Sequence, residues 1–349
     1  MVGIPVLRFD EARGADGRFD AGFLDRLRVA LHEVGFLQLT DFGAAPGQIA
    51  ELTAATERFF ALPLEQRLAL DNRLSPHFRG YTRLGHEITA GRPDAREQLD
   101  FAPEQPPVPR SAWDAPYRLL EGPNQWPDAA LPELRGIVLG WAALLSGVAT
   151  ELTAAIAASL GLSEHHFDDA FADAPHWFGK LIRYVGSEHD GAQAQGVGPH
   201  ADWGFLTLLL QDGTGGLQAR PPRAPEWIDV APLDSALVVN VGEMLEVATH
   251  GYLVSTVHRV LPCAPGATRQ SIGFFWSPRL EATLHPVPLT PELAAAAPGV
   301  TAAEHNPLLP RFGDNALKGW FRSHPEVAAR HHADLAALRS DRRSTLTER

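Results

Sequence analysis

Between Lys180 and Trp276 the chain breaks into seven short apolar runs separated by turns. They are KLIRYVG, FLTLLLQD, GLQAR, WIDVAP, ALVVNVG, LVSTVHRVLP and RQSIGFFW. Each is too short for a stable helix, and several such runs at close spacing must close into a sandwich or barrel. One stands out. PHADWGFLTLLLQD (Pro199 to Asp212) carries an apolar stretch of the kind buried in a sheet, yet opens with a histidine and an aspartate two residues apart.

The flanks read differently. Phe23 to Glu33 has apolar residues at helical spacing, GFLQLTDFG (Gly35 to Gly43) is a strand between glycines, and Ala44 to Arg67 is a second helix. Leu74 to Asp100 reads as loops with short strands, and the proline-rich stretch Ala102 to Asp128 as an irregular ordered connection. Ala129 to Leu162 reads as a long helix ending near Gly161, and Pro310 to Leu338 returns to helix. The class is therefore α+β with a mainly β core. A mixed N-terminal region (1–175) packs on the core (176–285), and a helical tail (286–349) closes over it, all folding as one unit.

Charge and composition narrow the function. A net charge of −12 argues against a nucleic-acid or anionic membrane surface. Cys263 is the single cysteine, so no internal disulfide is expected. The N-terminal segment does not read as a signal peptide, and no transmembrane helix is expected, which points to a cytoplasmic protein. Only Lys180 and Lys318 are lysines in a chain rich in Ala and Arg, as in GC-rich bacterial genomes.

In a strand, residues i and i+2 share a face, so His200 and Asp202 can project together. Alone, such a pair is more often a polar strand edge; otherwise it is an ion pair, a catalytic pair or two metal ligands. His258, in TVHRV, adds a second strand histidine. Two histidines and a carboxylate in this arrangement form the facial triad that holds non-haem Fe(II) and leaves coordination positions open. A Pro/Gly turn then leads from the His258 run to RQSIGFFW, which predicts a hairpin that returns Arg269 beside His258. Arg269 and Ser271, again i and i+2, suit a carboxylate through the guanidinium fork and a hydroxyl donor. Phe274, Trp276 and Trp203 are possible aromatic walls. His165, His166, His331 and His332 are expected to be exposed, and His250 to lie in a turn.

These motifs, in this order, resemble the iron(II)- and 2-oxoglutarate-dependent dioxygenases, in the branch related to isopenicillin N synthase. The resemblance covers nearly the whole chain, from IPVLRFDE and GFLQLTDFG to RQSIGFFWSP. It implies a double-stranded β-helix (jelly-roll) core, with His200, Asp202 and His258 as Fe(II) ligands. It also implies that Arg269 and Ser271 bind the distal carboxylate of 2-oxoglutarate, with Tyr184 reaching the same co-substrate. The expected reaction couples O2 and 2-oxoglutarate, giving succinate and CO2, to hydroxylation or desaturation of a small molecule, as in natural product biosynthesis. No nucleic acid or membrane partner is expected. RGYTRLGHEITAGRPDAREQLDF (Arg79 to Phe101) resembles a loop that the ethylene-forming enzyme places over its site, which implies substrate contacts for Glu87 and Thr89. FRSHP (Phe321 to Pro325) likewise implies a carboxylate contact for Arg322. Two departures stand out: Gly242-Glu243 replaces the usual Gly-Asp, and RYVG replaces an RYP-like motif. Two alternatives remain at this point. One is an isopenicillin N synthase-type oxidase that uses no 2-oxoglutarate. The other is an inactive metal-binding or regulatory protein of the same fold. A zinc hydrolase fits less well, since such sites favour three histidines or thiolates.

Overall fold

The apolar runs form strands, and the strands divide between two facing sheets. Before the core lie β1 (Val6–Arg8), α1 (Ala21–Glu33), β2 (Phe36–Thr40), α2 (Gln48–Ala61), α3 (Leu64–Leu68), β3 (Gly80–Thr82), β4 (Ile88–Thr89), β5 (Arg92–Pro93), β6 (Arg96–Phe101), α4 (Leu134–Ser159) and α5 (Asp168–Phe171). The core holds β7 (His176–Val185), β8 (Val197–His200), β9 (Leu206–Gln211), β10 (Leu217–Arg220), β11 (Ile228–Asp229), β12 (Leu237–Val241), α6 (Glu243–Ala248), β13 (Val257–Val260) and β14 (Thr268–Ser277). The tail holds α7 (Pro291–Ala296), α8 (Phe312–Ser323), α9 (Pro325–His331) and α10 (Ala333–Ala336). This computed structural model describes residues 3–89, 91–186, 195–224, 226–300 and 308–336; the end of the expected tail lies outside them.

The major sheet runs β1-β2-β12-β9-β14-β7-β6-β3, and the minor sheet β11-β10-β13-β8. The region before residue 176 is hydrogen-bonded into the major sheet, β2 pairing with β12 and β6 with β7. Strand periodicity sorts the side chains. Leu206, Leu208, Leu237, Val239, Ile272, Phe274 and Trp276 face outward into a cluster with residues of α1, α2 and α4. Ile182, Tyr184, Val197, Leu217, Val238 and Val260 face inward and fill the space between the sheets.

Helix α4 has 26 residues with mean hydropathy 1.5 over its most apolar window, enough by length and composition to cross a membrane. The expectation rests on the lack of an unbroken apolar run of 18 residues; length and mean hydropathy are a looser measure that a buried core helix also meets. In this fold α4 packs on α1, α2, β9 and β14, and buries Trp141, Leu145, Leu152 and Ile156 in the outer cluster.

Three further expectations are corrected. The runs bearing His258 and Arg269 are not a hairpin. β13 pairs with β10 and β8 in the minor sheet, and β14 with β7 and β9 in the major sheet. The Pro/Gly turn carries the chain across the sandwich. The His200 run ends a strand rather than beginning one, and Asp202 sits in the β8–β9 loop. His332 is buried, with Nε2 2.7 Å from the Pro76 carbonyl oxygen, and His331 Nε2 contacts the Arg73 carbonyl oxygen. The polar look of the last turn hides that these rings close α9 onto the N-terminal region.

Candidate active site

The minor sheet supplies both histidines. His258 on β13 lies directly opposite His200 on β8, and a bulge falls just beyond this pair. Opposed cross-strand residues share a face, and the ring centroids stand 4.2 Å apart. Each Nδ1 meets a backbone carbonyl, Gly198 O at 2.8 Å for His200 and Thr256 O at 3.1 Å for His258. With Nδ1 so engaged, each Nε2 is left to face Asp202.

The major sheet pins the carboxylate. Asp202 Oδ2 accepts from Thr207 Oγ1 of β9 at 2.6 Å and from Asn240 Nδ2 of β12 at 2.8 Å. The loop itself is fastened at the start of α6, where Glu243 N donates to Asp202 O at 2.7 Å and Met244 N to Gly204 O at 3.2 Å. Gly242 is required there, since a Cβ would stand 2.1 Å from Gly204 O. His200 Nε2 and His258 Nε2 each lie 3.8 Å from an Asp202 oxygen, and the three ligand atoms fall within 4.8 Å of one another. Burial pushes the His200 imidazole down to about 4, helped by His258. Burial alone would raise the Asp202 carboxyl, but the two imidazoles and the two hydrogen bonds outweigh it and hold it low. A neutral imidazole and an ionised carboxylate at one point are a donor set for a divalent cation.

A second feature lies on the inner face of β14. The Arg269 guanidinium stacks over the Tyr184 ring at 4.8 Å, with Nε donating to Gly215 O at 2.7 Å and Nη2 to Gln211 Oε1 at 3.2 Å. Among the described residues its Nη1 has no partner, and neither has Ser271 Oγ, although both residues are buried. Two orphaned donors side by side in the core fit a carboxylate guest. Tyr184 therefore bears on this spot by supporting Arg269.

A cavity of about 560 Å³ opens in front of the trio. The structure brings His200, Asp202, Glu87, Thr89 and Arg322 to its wall. Glu87 is buried rather than solvated. Its Oε1 meets Arg96 Nη2 at 3.1 Å and Lys180 Nζ at 3.5 Å, while Oε2 has no partner among the described residues. The Thr89 hydroxyl donates to Asp94 Oδ2 at 2.7 Å. Glu243 also lines the cavity, its carboxyl pushed up to about 7 by burial and by Glu246 and Asp202, against Arg322 and Lys318.

Phe274 and Trp276 do not reach the cavity. They point outward, where Trp276 stacks on Phe171 at 5.4 Å and donates to Thr153 Oγ1 at 3.2 Å. Parity decides this, because the inner face of β14 carries the odd residues 269, 271 and 275. Phe275 lines the cavity and stacks on Phe178 at 4.3 Å, with Trp203 on that ring's other contact at 5.4 Å. Counting by twos from Arg269 would have found Phe275. Nothing in the sequence singled out Phe178, Lys180, Arg96 or Trp320, which come from three other elements. Phe274→Ala should cost about 3–5 kcal/mol of stability. Phe275→Ala should leave the melt within a few degrees and instead raise the KM for substrate. Thermal denaturation of both variants checks this; equal destabilisation would contradict the assignment.

Behind the cavity, Lys180 Nζ bonds Asp100 Oδ1 at 2.7 Å. Burial would raise the Asp100 carboxyl, but Lys180 and His324 outweigh it and hold it far below the usual carboxylate range. A depressed folded pKa gives stability that is present above the unfolded value of about 3.9 and lost as pH falls through the folded one. Asp100→Asn should remove about 3 kcal/mol at pH 7 and flatten the loss of stability below pH 4. Urea melts at a series of pH values test this; an unchanged acid limb would count against it.

A jelly roll whose mouth gathers two histidines and a carboxylate is the frame of a non-haem iron oxygenase. Comparison with known proteins agrees. Residues 4–129 match the model described as non-haem dioxygenase in morphine synthesis N-terminal, and 180–278 that of the 2OG-Fe(II) oxygenase superfamily. The chain is 35% identical to the 2-oxoglutarate-dependent dioxygenase frbJ of Dothideomycetidae sp., over 93% of this chain and 90% of that one. It is 30% identical to a homoarginine-6-hydroxylase of Arabidopsis thaliana, over 81% and 84%. Among solved structures, a full-length Neurospora crassa protein in complex with alpha-KG has the same fold, superposing with TM-score 0.72 at 24% identity and covering 91% of this chain and 95% of that one. The chain belongs to the iron(II)- and 2-oxoglutarate-dependent oxygenase superfamily, and it is an enzyme that uses Fe(II), 2-oxoglutarate and O2 on a small molecule.

Proposed function

We propose that His200, Asp202 and His258 hold the Fe(II), that Arg269 and Ser271 hold the distal carboxylate of 2-oxoglutarate, and that the substrate is a small molecule bearing a carboxylate. The observation that carries this reading is the pair of buried, unpartnered donors, Arg269 Nη1 and Ser271 Oγ, on the same strand face as cavity-lining Phe275. Bound iron would supply oxidative decarboxylation of 2-oxoglutarate to succinate and CO2, coupled to oxidation of a substrate C–H bond.

The chain's own residues do the rest. Thr207 and Asn240 fix the rotamer of Asp202, and the carbonyls of Gly198 and Thr256 fix the tautomers of the histidines. Tyr184 braces the Arg269 fork from one face. Phe178, Phe275, Trp203 and Trp320 form an aromatic wall that excludes water from the reacting face. Arg96 and Lys180 are committed to the acids Glu87, Asp94 and Asp100. Arg322, exposed on the cavity wall at the end of α8, is therefore the cation for the substrate's carboxylate. Glu87, through Oε2, is placed to accept a hydrogen bond from the substrate, and Thr89 holds the β4–β5 loop in place through Asp94.

Succinate release tests the reading. Turnover of 2-oxoglutarate should rise when a substrate carrying a carboxylate is added, and Arg322→Ala should raise the KM for that substrate more than it lowers kcat. Substrate oxidation without succinate would overturn the proposal.

A further inference from the structure

The hairpin of β4 and β5 supplies Ile88, Thr89 and Gly91 to the cavity wall, but it cannot hold itself there. Its strands have two residues each, paired as Ile88 with Pro93 and Thr89 with Arg92. Pro93 has no N–H to give, and an isolated two-stranded hairpin is marginal in water at best. Burial helps little, since Ile88, Arg92 and Pro93 are exposed. The anchorage comes from a side chain just before β8.

That side chain is Gln195, which is 6% exposed. Its Nε2 donates to Asp94 Oδ1 at 3.0 Å, and to Thr89 O and Arg92 O at 3.2 Å each. Its Oε1 accepts from Arg92 Nη2 at 2.9 Å, and its backbone O accepts from Ala95 N at 2.9 Å. One residue thus grips both strands of the hairpin and the stretch that follows them. The chemistry calls for an amide. Nε2 meets acceptors and Oε1 a guanidinium, so a carboxylate of the same size would lose the donated bonds and stand against Asp94. Gly198 makes room for it, since a Cβ there would stand 2.8 Å from Gln195 Oε1. Asp94 Oδ1 also accepts from Gly198 N at 3.4 Å, and Gly198 O holds Nδ1 of His200. The hairpin is therefore fastened to the strand that presents His200.

We propose that Gln195 is a positioning residue: its amide holds the β4–β5 hairpin as a fixed wall beside β8, and so keeps a bound substrate in place at the metal site. Gln195 itself does not line the cavity and acts through the hairpin. The inference rests on the reading above in taking this cavity as the substrate's.

Hydrogen exchange on the holoenzyme, with Fe(II) and 2-oxoglutarate under anaerobic conditions, reads the hairpin without any substrate. The bonded amides of Asp94 and Ala95 should exchange about tenfold faster or more in Gln195→Ala, as the loss of one or two net hydrogen bonds predicts, while those of β9 and β14 keep their rates. Gln195→Glu should behave like Gln195→Ala, because it restores the size but not the donors. Turnover is then measured with a panel of straight-chain and aromatic carboxylic acids. For the acid that most raises wild-type succinate release, Gln195→Ala should raise the KM about tenfold and leave the KM for 2-oxoglutarate unchanged. The inference is overturned if the two amides keep their rates, if exchange accelerates equally across the core, or if Gln195→Glu matches the wild type. A loosened hairpin with an unchanged substrate KM overturns it as well. A loosened hairpin with no acid raising succinate release would support the clasp and instead sink the reading of the substrate as a carboxylate, which keeps the two failures apart.

Discussion

Asp202→Ala is expected to abolish 2-oxoglutarate turnover while leaving a folded protein. Loss of a group that merely orients a metal ligand lowers affinity or activity about 10–100-fold. Loss of the only carboxylate in the trio should exceed that upper figure. Stability should move little, because two terms oppose each other. Thr207 and Asn240 lose their acceptor, at about 1–3 kcal/mol each, but the fold no longer has to bury a carboxylate between them. His200→Ala should behave the same way, since His200 sits at the open end of β8 rather than in a packed cluster. Iron titration and a thermal melt on each variant check both halves. A fully active Asp202→Ala enzyme would remove the trio from the mechanism.

Arg269→Ala is expected to raise the requirement for 2-oxoglutarate by roughly 30- to 1000-fold. The estimate takes one bidentate charged contact at about 2–4 kcal/mol. Arg269→Lys should recover only part, because an ammonium cannot reproduce the fork and would sit poorly on the Tyr184 face. Ser271→Ala should lose about tenfold. The measurement is succinate formation against 2-oxoglutarate concentration, with iron affinity measured separately. Unchanged co-substrate dependence in Arg269→Ala would place Arg269 against the substrate instead.

The parts legible in the sequence were those in which one strand carries its own evidence. The proposed ligands His200, Asp202 and His258 show through because histidines and carboxylates are rare residue types inside apolar runs. Arg269 and Ser271 show through because period-two alternation puts them on one face. The same rule applied two residues further would have exchanged Phe274 and Trp276 for Phe275. What stayed hidden depends on how distant elements meet. The turn between β13 and β14 looks the same whether it returns within a sheet or crosses between sheets. Asn240 and Thr207 lie in ordinary strand sequences, and nothing local shows that both point at Asp202. Lys180, Arg96 and Asp100 look like solvated charges in a linear reading. They are buried because β6 and β7 pair side by side under the cavity. The long apolar helix α4 is equally silent about its solvent, since a core helix and a membrane helix meet the same compositional test.

The most direct test is an anaerobic titration of the metal-free protein, first with Fe(II) and then with 2-oxoglutarate, followed by visible absorption. The predicted result is a weak charge-transfer band that appears with 2-oxoglutarate, is absent in Asp202→Ala, and needs far more 2-oxoglutarate in Arg269→Ala. Iron bound by the wild-type protein with no band at any 2-oxoglutarate concentration would contradict the assignment of the buried Arg269–Ser271 pair to the co-substrate.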